Sequence, residues 1–213
     1  MGFEPDGPAS VLYEKLITQD KVDLVLGPYS SPISEAVADV SEKYEMPMVA
    51  PIAAATEIYS KGRKFVFSML PPGKVWHEGF LELAARRGLK SVAVLNVDDL
   101  SQRAMAQGAV ELAKNKGLQV IVVDSYPLGD TDFSALLTKV RAANPDVLAG
   151  ATRFDDAVAI VRQLKALNVN PRMVGLTVGV DTLRFYESLG RDADSFTASP
   201  HGCPSWSNFG RED

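Results

Sequence analysis

The chain has 213 residues, 46% of them hydrophobic and 23% charged, with a formal net charge of -5 and no basic block. These values are typical of a folded globular chain with one large core or two small ones, and they exclude disorder. They also make nucleic acid and acidic membrane surfaces poor partners. No apolar run approaches the roughly 20 residues that span a bilayer, and the first ten residues lack the pattern of a signal peptide. The chain is therefore either cytoplasmic or has lost an export signal.

The first 70 residues predict part of a parallel sheet. Residues 1–9 resemble a tail, and Ser10 caps a helix that carries Val11, Leu12, Leu16 and Ile17 on one side. The stretch 22–51 has a strand at 22–26, apolar residues at helical spacing and a second strand at 46–51. Such a β-α-β unit requires a right-handed crossover between parallel strands. A short helix at 53–59 and a strand at 64–68 follow, and Pro71-Pro72-Gly73 indicates a lobe boundary.

Beyond that boundary, helices and strands alternate at roughly 25 residues per unit, which predicts a doubly wound parallel α/β sheet. Helices are predicted at 75–87, 100–116, 133–143, 154–167 and 182–189, and strands at 91–96, 119–126, 147–151 and 173–178. Ligands of such sheets bind at the carboxyl ends of the strands. The loops of interest are therefore 96–101, 151–156 and 177–181.

Ser30 and Ser31 lie where the first predicted strand meets its helix. Unpaired backbone N–H groups and the positive end of the helix dipole favour an anion there. The same two hydroxyls would equally suit a simple helix cap.

Motifs of catalysis are missing. GPYSS lacks the small residues of a nucleophile elbow, and neither a phosphate loop nor a dinucleotide glycine fingerprint follows any strand. A zinc helix beginning at His77-Glu78 would need a second histidine where Leu81 stands, and His201 and Cys203, the only cysteine, form an isolated pair. The sequence predicts neither an enzyme nor a metal or cofactor site.

Six segments in order carry a family resemblance: VDLVLGPYSSPISEAVA, MPMVAPIAAAT, KFVFSMLPP, SVAVLNVDD, TDFSALLTKVRAANPDVL and FDDAVAIVRQLKALNVNP. Over residues 10–199 the chain resembles the type 1 periplasmic solute-binding proteins, in the branch of the leucine/isoleucine/valine-binding protein. The resemblance implies two doubly wound lobes, a ligand in the cleft between them, hinge closure and delivery to the membrane permease of an ABC importer. It also implies a periplasmic or extracellular location.

The resemblance further implies that this chain is a segment lacking both ends of the family's fold. Residues 10–70 would be part of the first lobe, 71–199 the second lobe, and 200–213 a return crossing or tail. An incomplete first lobe exposes strand edges and apolar surface, so we expect self-association.

Site residues are carried over from the family position by position. In the family a serine of the first turn binds the ligand carboxylate, and Ser31 holds that position beside Ser30. The resemblance extends the predicted ligand site to Ala53 and Ala54, which offer backbone N–H groups, and to Leu100, Arg153, Phe154 and Thr177. Thr56 is a further hydroxyl near the second turn.

Thr177 stands where amino-acid binders of the family place a carboxylate, and a threonine cannot neutralise an ammonium group. The candidate ligands are amino acids and aromatic or aliphatic acids. The threonine favours a carboxylate or amide with an apolar body, which would be bound through Arg153. Arg153 could instead pair with Asp155 or Asp156, and Phe154 could pack into the core. A ligand-sensing regulatory domain of the same fold and an α/β enzyme are the alternative functions.

Overall fold

The computed structural model describes residues 7–194 and 196–198. They form two compact units. The first contains residues 7–74 and Asp99–Met105, and the second contains Val75–Asp98 and the described residues from 106 onward. The first unit thus extends past Pro71, where the sequence indicated a boundary, and includes a later segment of the chain. The predicted return crossing at 200–213 and residues 1–6 of the predicted tail lie outside the described residues.

The first unit has a three-stranded parallel sheet in the order β1-β2-β3. Its elements are α1 (Pro8–Thr18), β1 (Val25–Leu26), α2 (Ser31–Lys43), β2 (Met48–Ala50), α3 (Glu57–Ser60) and β3 (Val66–Ser68). The row Val25, Met48 and Val66 crosses the three strands in register and is buried. This row packs in one core with residues of α1, α2 and α3.

The expected start of α1 at Ser10 is wrong. The helix begins at Pro8, inside the predicted tail, because proline is well suited to the first helical position, where its missing N–H costs nothing. Val11 and Leu12 are each 59% exposed, whereas Ile17 is buried. Helical spacing alone does not say which part of an apolar stripe finds a partner.

The second unit has a five-stranded parallel sheet in the order β5-β4-β6-β7-β8. Its strands are β4 (Ser91–Val97), β5 (Gln119–Tyr126), β6 (Val147–Ala151), β7 (Met173–Leu176) and β8 (Phe196–Ala198). The helices between them are α4 (Glu78–Arg86), α5 (Leu100–Asn115), α6 (Ser134–Ala143), α7 (Phe154–Ala166) and α8 (Leu183–Leu189). The first residues of α5 belong to the first unit and the remainder to the second.

The strand order reverses between β4 and β6, so this sheet is doubly wound as predicted. β6 is buried at every position, as expected for a central parallel strand with helices on both faces. β5 lies at an edge and has several partly or fully exposed positions. Within the described ranges, no helix combines the length and the apolar character that crossing a membrane requires.

Candidate functional site

Ser31, the first residue of α2, is bonded to the turn that follows β2. Its Oγ accepts hydrogen bonds from the N–H groups of Ala54 and Ala55, both at 3.1 Å. The side chain is buried, with 2% of its surface exposed. Because a hydroxyl oxygen has two acceptor sites and one hydrogen, Ser31 keeps its hydrogen to donate to a third group. The N–H of Ala54, predicted to reach a ligand, is instead bonded to Ser31.

Ser30 is the N-cap residue of α2, but its side chain makes no capping hydrogen bond. Simple capping, which the sequence left open, therefore does not explain this hydroxyl. Ser30 is half-buried and stands at the positive end of a helix of 13 residues. An anion beside this turn would be stabilised by the helix dipole.

Two backbone carbonyls of the turn after β2 are held by hydrogen bonds from other parts of the first unit. The carbonyl of Ala53 accepts a hydrogen bond from the hydroxyl of Tyr59 at 2.8 Å, and that of Ala54 accepts from the N–H of Gly73 at 2.7 Å. The hydroxyl of Thr56 is buried and has no partner among the described residues. A buried hydroxyl without a partner costs free energy, so Thr56 offers an unused group to a ligand or a water molecule.

In the second unit, Thr177 and Thr152 connect the ends of β7 and β6. Thr177 Oγ1 accepts from the N–H of Thr152 at 3.1 Å and donates to its carbonyl at 3.2 Å. The hydroxyl of Thr177 is thus used within the protein, while the buried Oγ1 of Thr152 has no partner among the described residues. The unused hydroxyl in this loop is on Thr152, which the sequence analysis did not select.

Arg153 is the N-cap residue of α7. Its N–H donates to Asp156 Oδ2 at 3.1 Å, and the hydroxyl of Tyr126 donates to the same oxygen at 3.2 Å. Burial raises the pKa of Tyr126 well above its usual value, and the charge of Asp156 raises it further. The Asp156 carboxylate therefore orders this turn by accepting both hydrogen bonds. The Arg153 side chain is half-buried.

Phe154 packs against the core of the second unit, as the alternative interpretation expected. The guanidinium of Arg184 lies 4.4 Å from the centre of its ring. Gly179 has a φ of +83°, and a Cβ there would approach Phe154 Cδ2 to 2.9 Å. The Phe154 ring is thus closely packed, and position 179 beside it has room for glycine only.

Leu100 belongs to the first unit, not to the second lobe where the sequence analysis placed it. It packs against that unit's core, since the first turn of α5 is part of that unit. Asp99 caps this helix, with its Oδ1 accepting the Ser101 N–H at 3.0 Å.

The predicted residues therefore form two separate groups, one in each unit. Ser30, Ser31, Ala53 and Ala54 come together in the first unit, and Thr177 meets the turn of Arg153 and Phe154 in the second. Sequence reasoning missed Ala55 and Thr152. The run of three alanines after β2 was the available signal for Ala55, and Thr152 adjoins a predicted strand end. The described residues contain no cluster of three or more side chains suited to a metal ion.

Comparison with known proteins extends these observations. The family model described as periplasmic binding protein matches residues 5–204. The leucine-, isoleucine-, valine-, threonine-, and alanine-binding protein of Pseudomonas aeruginosa is 25% identical over 173 residues, which are 80% of this chain and 46% of that protein. The Leu/Ile/Val-binding protein BraC3 of Rhizobium johnstonii is 27% identical over 182 residues, 83% of this chain and 48% of that protein. The chain spans about half the length of these relatives.

Solved structures show the same fold. A leucine binding protein LivK of Thermotoga maritima has a TM-score of 0.75 at 24% identity, over 86% of this chain and 52% of that one. A solute binding protein of an ABC transporter of R. palustris, in complex with 4-hydroxybenzoate, has a TM-score of 0.72 at 20% identity. The match covers 84% of this chain and 49% of that one. These neighbours are type 1 periplasmic binding proteins, which confirms the predicted fold.

The curated relatives are named as amino-acid-binding proteins, and the R. palustris structure is titled as a solute binding protein of an ABC transporter. These relatives are binding proteins and not enzymes, in agreement with the prediction from the missing catalytic motifs. With a family match over nearly the whole chain and two parallel α/β sheets, this chain belongs to the periplasmic binding protein family, in agreement with the resemblance seen in the sequence.

Proposed function

We propose that this chain is the ligand-binding part of a solute-binding protein that supplies an ABC importer. Its ligand is a small carboxylate with an apolar aromatic or aliphatic body. The turn of Ser30 and Ser31 binds the carboxylate, together with Thr56 in the turn after β2.

The bonding of Ser31 is the observation that carries this proposal. Both acceptor sites of its oxygen are used by the N–H groups of Ala54 and Ala55, so its hydrogen is the group left to bond. A donor fixed in this way suits a carboxylate, which only accepts hydrogen bonds. The unused hydroxyl of Thr56 adds a second donor in the turn after β2, to which Ser31 is bonded.

The choice of ligand class rests on Thr177, which stands where amino-acid binders of the family place a carboxylate. Thr177 carries no charge and bonds Thr152, and the carboxylate of Asp156 accepts from Tyr126 and Arg153. Thr177 therefore cannot supply the counter-charge of an α-ammonium group. Three related structures are titled as complexes with 4-hydroxybenzoate, 3,4-dihydroxy benzoic acid and benzoate, which supports an aromatic acid. Relatives named for leucine, isoleucine and valine support the competing amino-acid class.

The importer role and an extracytoplasmic location are part of the same proposal. They are supported by family membership and by relatives whose names place them in ABC transport. The partner is a membrane permease that receives the ligand from this protein.

Isothermal titration calorimetry with benzoate, 4-hydroxybenzoate and leucine tests the proposal. We expect a benzoate to bind and Ser31→Ala to weaken its binding by about 10- to 100-fold, since a hydrogen bond to a charged group contributes about 1.5 to 3 kcal/mol. Ser41→Ala is the matched control, because it removes a buried hydroxyl from the same helix that has no partner among the described residues. Its binding should equal that of the wild type.

Binding of leucine in the absence of any benzoate binding would refute the ligand class while leaving the family role intact. Equal affinities of the wild type and Ser31→Ala would refute the carboxylate site. No binding of any of the three compounds by the folded chain would contradict the proposal as a whole.

A further inference from the structure

The end of α7 and the loop after it form one side of a small pocket in the second unit. Asn168 has a φ of +51°, a left-handed conformation that asparagine tolerates, and it follows the last residue of the helix end. The N–H of Asn168 bonds to the carbonyl of Lys165 at 3.2 Å, and the N–H of Val169 bonds to the carbonyl of Leu164 at 2.9 Å. These two bonds define a Schellman motif, which typically brings two apolar side chains together, here those of Leu164 and Val169. Both side chains line the pocket.

The pocket has an apolar floor and a volume of about 290 Å³. Val161, Leu164, Val169 and Val174 line it, and each is at most 6% exposed. These four side chains belong to the core of the second unit, so their own unit already buries them. The pocket is therefore a concave surface and not a helix or sheet face that lacks a cover. Its volume is close to the lower end of the range of small-molecule pockets, which indicates a small ligand.

The charged side chains of the pocket carry a net positive charge. They are Lys165, Arg191 and Asp192. Lys165 and Asp192 form an ion pair, with side chains that are 69% and 38% exposed. Arg191 stands in the short 3₁₀ helix Gly190–Ala193 and has no ion pair among the described residues. Because Lys165 and Asp192 neutralise each other, the charge of Arg191 is left for a ligand.

Two side-chain amides add hydrogen-bond donors to the same pocket. Asn168 and Asn170 line it, and within residues 7–194 their side chains have no hydrogen-bond partner. Each amide can donate two hydrogens, and the guanidinium of Arg191 can donate two parallel hydrogen bonds to a carboxylate. A single positive charge suits a carboxylate better than a phosphate ester, which carries a charge of about -1.5 to -2.

We propose that this pocket binds a small alkyl carboxylate, with its chain on the apolar floor and its carboxylate at Arg191. The site is separate from the turn of Ser31, which belongs to the first unit. It is also distant from the turn that begins α7, because Lys165 follows Phe154 by eleven residues, or roughly 16 Å of helix. The ligand would therefore lie near the amino end of β7, whereas the candidate site uses the carboxyl ends of the strands.

A titration of the isotope-labelled chain with octanoate, followed by amide NMR, tests the proposal. We expect shifts at the N–H groups of Val169 and Val174 and a dissociation constant of about 0.1 to 1 mM. The compound 1-octanol lacks the charge, so its binding should be at least threefold weaker. Acetate lacks the apolar chain and should cause no saturable shift, since each buried CH₂ group contributes to binding.

Arg191→Gln should weaken the binding of octanoate at least threefold, because it removes the uncompensated charge. Arg172→Gln is the matched control. Arg172 is a nearby arginine with a side chain that is 70% exposed, and it does not line the pocket. Its affinity for octanoate should equal that of the wild type.

The absence of octanoate shifts at Val169 and Val174 would overturn the proposal. Shifts confined to Ala54 and Ala55 would do the same while supporting the proposed function, since they would place octanoate at the Ser31 turn alone. Equal binding of 1-octanol, or an unchanged affinity of Arg191→Gln, would refute recognition of the carboxylate. Ser31→Ala should leave the shifts at Val169 and Val174 intact, so this proposal and the proposed function can fail separately.

Discussion

Thr177 and Thr152 hold the carboxyl ends of β7 and β6 together through two hydrogen bonds made by one hydroxyl. Thr177 Oγ1 accepts from the Thr152 N–H at 3.1 Å and donates to the Thr152 carbonyl at 3.2 Å, and both residues are buried. A residue that the sequence marked as a ligand contact thus has a clear structural role, which is to position the turn that begins α7.

Thr177→Val should destabilise the protein by about 1 to 3 kcal/mol, because it leaves the buried N–H and carbonyl of Thr152 without their partner. Urea unfolding measures the loss. Thr138→Val is the control, since its exposed hydroxyl on α6 bonds the carbonyl of Ser134 where water can replace it. That variant should change the free energy of unfolding by less than about 0.5 kcal/mol. A Thr177→Val protein as stable as the wild type would show that the two bonds contribute nothing.

Arg63→Met should lower the free energy of unfolding by about 2 kcal/mol. The Arg63 side chain is 5% exposed and donates to Glu35 at 2.9 Å and to the carbonyl of Ile58 at 2.7 Å. Its removal leaves a partly buried carboxylate without its main partner. Lys61→Met is the matched control, because Lys61 is exposed and pairs with the same Glu35. An exposed pair contributes about 0 to 1 kcal/mol, so Lys61→Met should lose less stability than Arg63→Met. Equal losses in the two variants would show that the burial of Arg63 does not strengthen its ion pair.

The effect of Arg63→Met should also depend on pH. Burial alone would raise the pKa of Glu35, but the hydrogen bonds from Arg63 and Lys61 lower it overall. A carboxyl group with a lowered pKa stabilises the fold above its unfolded pKa, and this contribution disappears as the pH falls through the folded value. The difference in stability between the wild type and Arg63→Met should therefore shrink in acid. A constant difference between pH 7 and acid would argue against the ion pair.

His77 should make the protein sensitive to mild acid. The ring is fully buried, and neither nitrogen has a partner among the described residues. Burial lowers the pKa of His77 to about 4, from an ordinary 6.5. The unfolded chain therefore binds this proton first, so stability is complete above pH 6.5 and falls toward pH 4 by about 3 kcal/mol.

Unfolding experiments between pH 5 and pH 6.5 should show this slope in the wild type and not in His77→Leu. The window lies above the range in which carboxyl groups titrate. A slope that survives in His77→Leu would assign the acid sensitivity to another group.

Gly175→Ala should destabilise β7 by about 1 to 3 kcal/mol through overpacking. A Cβ at this position would come within 2.7 Å of three atoms of the Phe80 ring, which is buried and cannot move aside. Gly79→Ala is the opposite case, because a Cβ there meets nothing within 4 Å and the residue lies in α4. It should stabilise by about 0.4 to 1 kcal/mol. Thermal unfolding distinguishes the two, and equal effects would contradict the packing argument.

Much of the second unit could be predicted from the sequence. β5 and β6 have the predicted bounds, and α7 ends one residue before its predicted end. These elements depend on interactions between residues close in the chain, such as the turn at Asn144, whose φ of +47° ends α6. The family resemblance came from the same local patterns taken in order, and the match over residues 5–204 confirms it.

The sequence by itself determined the parallel α/β architecture and the family, because hydrophobic periodicity and turn residues are properties of short stretches. Only the tertiary structure decided which candidate groups are used inside the protein. Ser31 is hydrogen-bonded to Ala54, which lies 23 residues later in the chain. Thr177 is hydrogen-bonded to Thr152, which lies 25 residues earlier. The same holds for the exposed row of Leu26 and Phe67, since strand alternation predicts two faces but not which of them the helices cover. Hydrogen bonds and burial between distant segments depend on how the strands are ordered, and no local pattern records that order.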